Sequence, residues 1–387
     1  MQDSRARAWW VVAGALATLV ALGLGGAWVM EERGHVVSGM TQQVVWGMPH
    51  VFAIFLIVAA SGALNVASIA SAFKQADYKP WAPLSVLLAL ALLAGGLMVL
   101  VLDLGRPERL AIAATRYNFR SIFAWNMFLY TGFFAIGAAY LWTMLEKRYG
   151  HYSRPVGILA FTWRIVLTTG TGSIFGFLVA RQAYAAAIIA PLFIALSLAW
   201  GTAAFCVAQP ALAAAGGAPM DEALAARLSR LLGLFIVVAL WLAAVYHLAN
   251  LYWAKESGFE RFILLRGEPY AALFWIGFIV LGSLLPVALL WHPRLAGPRA
   301  RVAASLLVLG GALAFLYVFV IGGQAFPMEI FAGYEASSSF ADGAVARYVP
   351  SAPEVALGVA GVAMAALLTA IGARLFAILP REGALHA

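Results

Sequence analysis

The feature that most constrains the fold is a series of ten apolar runs, each long enough for one helix to cross a bilayer. Such a helix needs about 20 predominantly apolar residues. The runs span residues 9–30, 49–73, 83–103, 121–145, 156–181, 185–212, 228–253, 270–291, 302–324 and 353–379. Their apolar character is continuous rather than alternating, which disfavours the strands of a membrane β-barrel. The sequence therefore predicts an all-α polytopic membrane protein with about ten transmembrane helices.

The composition fits a protein that lies in lipid over most of its length. Only 11% of the 387 residues are charged, against about 25% in soluble domains. The ten runs leave little room for a separate soluble domain, so we predict a single transmembrane domain over residues 1–387. The net charge of +8 suits the orientation of a membrane protein and gives no reason to invoke nucleic acid.

The cysteine and histidine content limits which cofactors the protein can hold. Its one cysteine, Cys206, cannot bind an iron–sulfur cluster or a structural zinc ion, and it cannot form an internal disulfide. His50 and His247 are the two histidines within the apolar runs, so a bis-histidine haem is geometrically possible. Integral haem b carriers usually need paired histidines on facing helices for each haem. We therefore expect no metal site, no iron–sulfur cluster and no haem.

Basic residues predict the orientation, because cytoplasmic connections carry an excess of Lys and Arg. With the N-terminus in the cytoplasm, the inner segments hold fourteen basic residues and the outer segments ten. We therefore predict that both termini are cytoplasmic. Connections 104–120 and 325–352 then lie outside, and an ordered loop as long as 325–352 commonly has a function.

The connection 104–120 departs from this charge rule, because it places four arginines on the outer side. They are Arg106, Arg109, Arg116 and Arg120. One interpretation is an interfacial helix whose arginines meet lipid phosphates. The other is a docking surface for an acidic partner subunit, formed by Arg109, Arg116 and Arg120, with Arg106 turned inward.

The stretch HVVSGMTQQVVWGMPHVF, residues 35–52, precedes the second apolar run and contains the first candidate site. His50 lies just inside that run, after a proline suited to the first turn of a helix. Gln42, Gln43 and Trp46 lie within about two helical turns before it. Ionisable and amide groups at the edge of hydrocarbon are costly, which favours a functional role. The alternative is an interfacial anchor.

Further polar residues lie near the predicted outer ends of the spans, so they gather on one side of the membrane. They are Asp103, Tyr117, Asn118, Asn126, Arg181, Tyr184, Tyr246, His247, Asn250 and Gln324. His247 and Asn250 are three residues apart and share a helix face. Each residue has an alternative role as a helix cap or an interface anchor. Their convergence on one side is what indicates a site.

One arginine, Arg164, lies inside the fifth span, about 13 Å of helix rise from its inner end. A snorkelling side chain covers only part of that distance. It is therefore either a snorkelling arginine that keeps water near it or a member of an inner hydrated path for protons together with Thr168.

Three runs of sequence resemble a known family of membrane proteins. WGMPHVF at 46–52, LDLGRPER at 102–109 and YNFRSIFAWN at 117–126 are similar to the NrfD/PsrC family of integral membrane quinone-interacting subunits. The similarity extends over nearly the whole chain. The runs RIVLTTGTGSIFGFLVARQAY, VYHLANLYWAKESGFERFILL and VIGGQAFPMEIF resemble most the DsrP members of that family, from the Dsr membrane complex.

The resemblance implies a fold and a role. The fold is two four-helix bundles plus peripheral helices, with a quinone site near the outer surface of the first bundle. The role is to exchange electrons and protons between menaquinone or ubiquinone, as an exchangeable substrate, and a periplasmic iron–sulfur partner. Other membrane and cytochrome subunits would complete the complex. The likeness to DsrP implies a place in dissimilatory sulfur metabolism.

The chemistry of such a site assigns roles to the polar residues. His50 is expected to bond one quinone carbonyl and exchange its proton, because histidine exchanges protons near neutral pH. Asp103 is the expected proton acceptor, and Arg106 is expected to hold it ionised by charge pairing. The candidates for orientation and stacking are Gln43, Trp46, Tyr117 and Asn118, and weaker candidates for the quinone site are Tyr130, His247 and Asn250.

Two other classes of protein remain possible from the residues alone. A membrane anchor without its own quinone site would keep the same fold. A secondary transporter would also suit ten spans, but transporters often show inverted repeats and helices broken near the midplane. No convincing repeat is present in this sequence, and its polar residues gather at one face.

Overall fold

The computed structural model describes residues 2–328 and 343–380, and these contain ten helices that are long and apolar enough to cross a membrane. We number them α1 to α10 in chain order. They are Arg7–Arg33, Met48–Ser71, Ala76–Leu102, Ile122–Leu145, Lys147–Gly176, Ile189–Ala214, Glu222–Tyr252, Tyr270–Trp291, Pro298–Ala325 and Ala352–Leu375. The described residues include no strand. The prediction of an all-α, multi-pass membrane protein with ten spans is confirmed.

One difference from the predicted boundaries is at the end of α5. The apolar run extends to residue 181, but the helix ends at Gly176, and residues 177–188 form an irregular connection. Arg181 lies in this connection and donates hydrogen bonds to the backbone of two other segments. An apolar run alone therefore overestimates the helix, because these residues make their contacts with the loop before α2 and the end of α9.

Neighbouring helices pack in chain order. Helices α2 to α5 contact one another, α6 to α9 contact one another, and α6 also packs against α2 and α5. Helices α1 and α10 pack together, and α10 lies against α2 and α3. The division into two four-helix bundles stays a prediction.

Glycine allows the closest approach between the two groups of helices. A Cβ added at Gly62 of α2 would lie 1.6 Å from the carbonyl oxygen of Ser197 on α6. A Cβ added at Gly201 of α6 would lie 2.0 Å from the carbonyl carbon of Gly62. Small residues at such crossings let helix backbones touch in a membrane, where dispersion replaces the hydrophobic effect as the driving force. This contact fixes α2, the helix that carries His50.

The alternating direction of the helices brings most of the predicted site residues to one side of the bundle. We call this the site side, defined as the side on which α1 ends and α2 begins. The ends of α3, α5, α7 and α9 and the starts of α4, α6, α8 and α10 lie there as well. Of the predicted outer loop 325–352, residues 329–342, including Ser337 to Ser339, lie outside the described part of the protein. The assignment of the site side to the cell exterior stays a prediction.

Candidate functional site

The start of α2 places the first candidate residue. The backbone leaves α1, makes a short turn at His35–Val37 and stays irregular until α2 begins at Met48. Pro49 occupies the first turn, where its missing N–H costs no helical hydrogen bond. His50 is therefore held in the first turn of α2, at the edge of the apolar layer, with 16% of its side chain exposed.

His50 meets a buried carboxylate at the end of α3. The distance from His50 Nδ1 to Asp103 Oδ2 is 2.8 Å, and the Asp103 side chain is fully buried. The distance is short, but the angle at the ring nitrogen does not suit a hydrogen bond. Neither oxygen of Asp103 therefore accepts a hydrogen bond of good geometry from the described residues. A buried carboxylate in this state has free capacity to accept a proton or a hydrogen bond from a bound molecule.

An aromatic wall stands beside this pair. The ring of Trp46 lies nearly parallel to the His50 ring, with centroids 6.0 Å apart and an angle of 21° between the planes. Trp46 also makes edge contacts with Phe123 of α4 and Phe175 of α5. The three aromatic rings give the histidine an apolar surrounding on one side, which suits a flat, mostly apolar head group.

The expected pairing of Arg106 with Asp103 is wrong. Arg106 is exposed and lies outside ion-pair distance of Asp103, whose ion-pair partner among the described residues is His50. Arg106 follows Gly105, which has a positive φ of 67°. The turn at this glycine directs the backbone away from the carboxylate, so the short sequence separation does not become a contact.

The connection after α3 is exposed along its length. Residues 111–120 are all exposed, including Arg116 and Arg120, and Arg109 is exposed just before them. Tyr117 stacks on Phe119, and the Asn118 side chain accepts a hydrogen bond from the backbone N–H of Arg120. The structure thus places Tyr117 and Asn118 on the surface of this connection, where they contact Phe119 and Arg120 rather than the His50–Asp103 pair.

Gln43 and Tyr130 are both buried near this end of the bundle. The Gln43 amide donates to the carbonyl oxygen of Ala325 at 2.9 Å, so it contacts the end of α9 rather than His50. Tyr130 lies on the buried face of α4, one turn after Asn126, whose amide donates to Gly170 of α5 at 3.0 Å. These residues join helices around the site.

A second histidine–carboxylate pair lies at the same side of the bundle. His247 Nδ1 of α7 is 2.8 Å from Oε2 of Glu260, and Asn250 donates to Oε1 of the same carboxylate at 2.9 Å. Glu260 belongs to the short helix Ser257–Arg261 and is fully buried. The Nε2 atom of His247 is also buried and has no partner among the described residues. This pair is more closed than the His50 pair.

Arg164 lies deep in α5 and bonds to α2. Its guanidinium donates to Asn65 Oδ1 at 2.6 Å and to the carbonyl oxygen of Ser61 at 3.0 Å. Thr168 donates to the hydroxyl of Ser61 at 2.6 Å, and Asn65 donates to Thr202 of α6 at 2.7 Å. The structure brings Arg164 and Thr168 into one buried polar network, which meets α2 near its middle, 11 and 15 residues after His50.

Two buried carboxylates were missed by reasoning from the sequence. Glu260 lies after the end of the seventh predicted span at residue 253, and no periodic signal connects it to His247 thirteen residues earlier. Glu354 of α10 is fully buried and accepts hydrogen bonds from the N–H of Gly39 and the hydroxyl of Tyr348. Its position three residues after Ser351 is a capping-box signature that would have marked the start of α10.

No cluster of three His, Cys, Asp or Glu side chains within residues 2–328 and 343–380 could hold a metal ion. The titratable groups at this end of the protein include two histidine–carboxylate pairs with aromatic rings beside them. Both pairs can exchange protons; the His50 side chain is 16% exposed and that of His247 is 12% exposed, with its Nε2 atom buried.

Comparison with known proteins gives relatives that align with this protein over most of their own length. An integral membrane subunit of an Hdr-like menaquinol oxidoreductase from Archaeoglobus fulgidus is 27% identical, covering 95% of this protein and 93% of the relative. A putative dimethyl sulfoxide reductase membrane subunit from Halobacterium salinarum is 26% identical, covering 93% of this protein and 89% of the relative. A polysulfide reductase polypeptide from Wolinella succinogenes is 26% identical over 73% of this protein and 95% of its own length.

The family model described as polysulphide reductase, NrfD, matches residues 36–328. This range includes the irregular segment before α2, both histidine–carboxylate pairs and helices α2 to α9. The match covers well over half of the sequence, and the resemblance noted in three short runs thus extends through the whole region that builds the site. The chain belongs to the polysulphide reductase NrfD family.

Proposed function

We propose that this protein is the integral membrane subunit of a multi-subunit oxidoreductase complex and that a quinol or quinone reacts at the His50–Asp103 pair. The observation that carries the proposal is the 2.8 Å contact between an accessible histidine ring and a fully buried carboxylate with no well-directed donor among the described residues. The names of the relatives, a menaquinol oxidoreductase subunit among them, support this role. They favour menaquinone over ubiquinone.

The reaction transfers two protons and two electrons. Oxidation of a quinol releases two protons to the protein and two electrons to a partner, and reduction of a quinone reverses both. A carboxylate beside Nδ1 favours the histidine tautomer with the proton on Nδ1, which leaves Nε2 to accept the proton of a quinol hydroxyl. Asp103 stabilises the positive charge that then forms on His50, and it offers the next acceptor for the proton.

The surroundings of the pair suit a quinone. Trp46 presents a ring face beside His50 for a flat head group. An apolar groove of about 330 Å³ lies among α1, α2, α9 and α10 and reaches Phe52 and Phe55, within two turns of His50 along the chain. This groove would accept the isoprenoid tail. Tyr130 and Gln43 hold the helices around the head group.

The electrons require a partner, and the exposed connection after α3 offers a surface for one. Arg109, Arg116 and Arg120 are exposed, and Phe119 beside them is 71% exposed. Arginine and aromatic side chains are enriched where proteins bind each other. We propose that an iron–sulfur subunit docks here, on the periplasmic side of a bacterial inner membrane, with both termini of this protein in the cytoplasm. Further membrane and cytochrome subunits complete the complex.

The electron donor or acceptor beyond the complex is proposed to be a sulfur compound. A polysulfide reductase polypeptide is among the relatives, and the sequence resembles DsrP members of the family. On this basis the complex links the quinone pool to dissimilatory sulfur metabolism.

The test replaces His50 with Phe in the assembled complex, because Phe keeps the bulk of the ring and removes the proton-exchanging nitrogens. The expected result is normal assembly and a loss of quinol-linked electron transfer of about 10²-fold or more. Electron transfer from the partner to an artificial acceptor should be unchanged. The matched control is His151→Phe, because His151 is exposed at the opposite end of the bundle. Wild-type quinol turnover in assembled His50→Phe complexes would remove this histidine from the mechanism.

A further inference from the structure

The segment before α2 has few hydrogen bonds of its own. Residues 41–47 form neither helix nor strand, so their backbone groups need partners elsewhere. The Thr41 hydroxyl accepts from the N–H groups of Gln43 and Val44. Four backbone groups of the segment bond to side chains of other segments: the carbonyl oxygen of Gln43, the N–H of Val45, and both the N–H and the carbonyl oxygen of Trp46.

One side chain from the end of α9 binds three of these four groups. Gln324 Oε1 accepts hydrogen bonds from the N–H of Val45 and from the N–H of Trp46, each at 3.0 Å. Gln324 Nε2 donates to the carbonyl oxygen of Trp46 at 3.0 Å and to that of Val320 at 2.8 Å. An amide side chain can accept two hydrogen bonds and donate two, so Gln324 uses its full capacity here. It is 1% exposed.

The remaining group is bound by Arg181 from the connection between α5 and α6. Its guanidinium donates to the carbonyl oxygen of Gln43 at 2.8 Å and to the carbonyl oxygen of Gln324 at 3.0 Å. Arg181 thus bridges the irregular segment and the end of α9. No carboxylate lies within ion-pair distance of it among the described residues. A charged donor makes these bonds stronger than neutral ones.

The position of Trp46 therefore depends on two residues that are far away in the sequence, one in the α5–α6 connection and one 278 positions away in α9. Trp46 in turn lies against the ring of His50. We propose that Gln324 and Arg181 are positioning residues, which fix Trp46 and so orient the His50 ring for proton exchange with the quinol. This inference rests on the proposed function of the His50–Asp103 pair. The end of α9 and the α5–α6 connection then help to orient the histidine that exchanges protons at the start of α2.

The test is Gln324→Met in the assembled complex, with Gln209→Met as the matched control. Gln209 is a buried glutamine of α6 that lines a separate cavity with Cys206 and Arg301. Because a displacement of 1 Å can cost about 10²-fold in rate, kcat for quinol should fall by about 10-fold or more in Gln324→Met. KM should stay near the wild-type value, since the apolar tail still binds. Gln209→Met should have the wild-type kcat and KM.

A conservative variant separates positioning from general damage. Gln324→Glu keeps an acceptor for the two N–H groups of Val45 and Trp46 but loses both donors, so its kcat should lie between those of wild type and Gln324→Met. Arg181→Lys keeps the charge but cannot span both carbonyl oxygens, and its kcat should fall with KM unchanged. If Gln324→Met does not assemble, these two variants test the positioning role by themselves.

The outcomes distinguish this inference from the proposed function. A loss of turnover in His50→Phe, together with wild-type kcat in assembled Gln324→Glu and Arg181→Lys complexes, overturns the positioning role and leaves the site standing. A matched fall in kcat in Gln324→Met and Gln209→Met also overturns it, because the effect is then general. Wild-type turnover in His50→Phe overturns the site itself.

Discussion

The contact between α2 and α6 offers a sharp test of the packing that holds His50 in place. Replacement of Gly62 by Ala would put a methyl carbon 1.6 Å from the carbonyl oxygen of Ser197, whereas ordinary van der Waals contact begins near 3.4 Å. The obstacle is backbone, which cannot rotate away as a side chain does. The two helices must therefore move apart by about 1.8 Å at this point.

The loss of stability in Gly62→Ala can be worked out from the hydrogen bonds that join α2 and α6. Asn65 donates to the carbonyl oxygen of Leu198 at 3.0 Å and to the hydroxyl of Thr202 at 2.7 Å. A separation of this size takes both hydrogen bonds beyond reach. Taking about 1 kcal/mol for each lost bond and about 1–3 kcal/mol for the added methyl group, we expect a loss of about 3–5 kcal/mol in the free energy of unfolding.

The assay is the apparent Tm of the purified protein in detergent, together with the yield of assembled complex in membranes. The matched control is Gly310→Ala in α9, where nothing lies within 4 Å of the added carbon. That change should leave stability unchanged or raise it by up to about 1 kcal/mol, because alanine favours helix more than glycine does. An apparent Tm for Gly62→Ala equal to that of Gly310→Ala would refute the close approach of α2 and α6.

Three further predictions concern the other polar groups. Glu260→Ala should lower the unfolding free energy by about 3 kcal/mol, because it leaves a buried histidine unpaired; thermal unfolding measures this, and turnover per assembled complex should be unchanged. Arg164→Met should reduce the protons moved per electron in vesicles, and full coupling would exclude a path through this arginine. Charge reversal at both Arg116 and Arg120 should weaken partner binding and its salt dependence; unchanged assembly would assign them to lipid contact.

The sequence was sufficient for the features that depend on one segment at a time. The number of spans follows from the length of each apolar run, because a bilayer sets the length that a helix must have. The place of His50 in the first turn of α2 follows from the proline before it and the apolar run after it. The end of α5 at Gly176 did not follow, since the next residues are apolar but are held by contacts with other segments.

The residues that meet across helices could not be obtained in this way. Asp103 was expected to accept the proton of His50 because of the resemblance to the NrfD/PsrC family, but its expected pairing with Arg106 was wrong, and the contact itself depends on the packing of α2 against α3. Glu260 was not connected with His247, and Gln324 was named only as one polar residue among several. Each of these contacts depends on how a helix is rotated about its axis and which helix lies beside it.

What the sequence determined by itself was an all-α membrane protein with ten spans, a histidine at the edge of the second span and membership of a family. What only the tertiary structure decided was which polar groups share a site. The physical reason is that a spanning helix is apolar towards lipid and apolar towards its neighbours, so periodicity does not show which face packs where. The pairing of His50 with Asp103, and the hold of Gln324 on Trp46, arise only when ten such helices are packed.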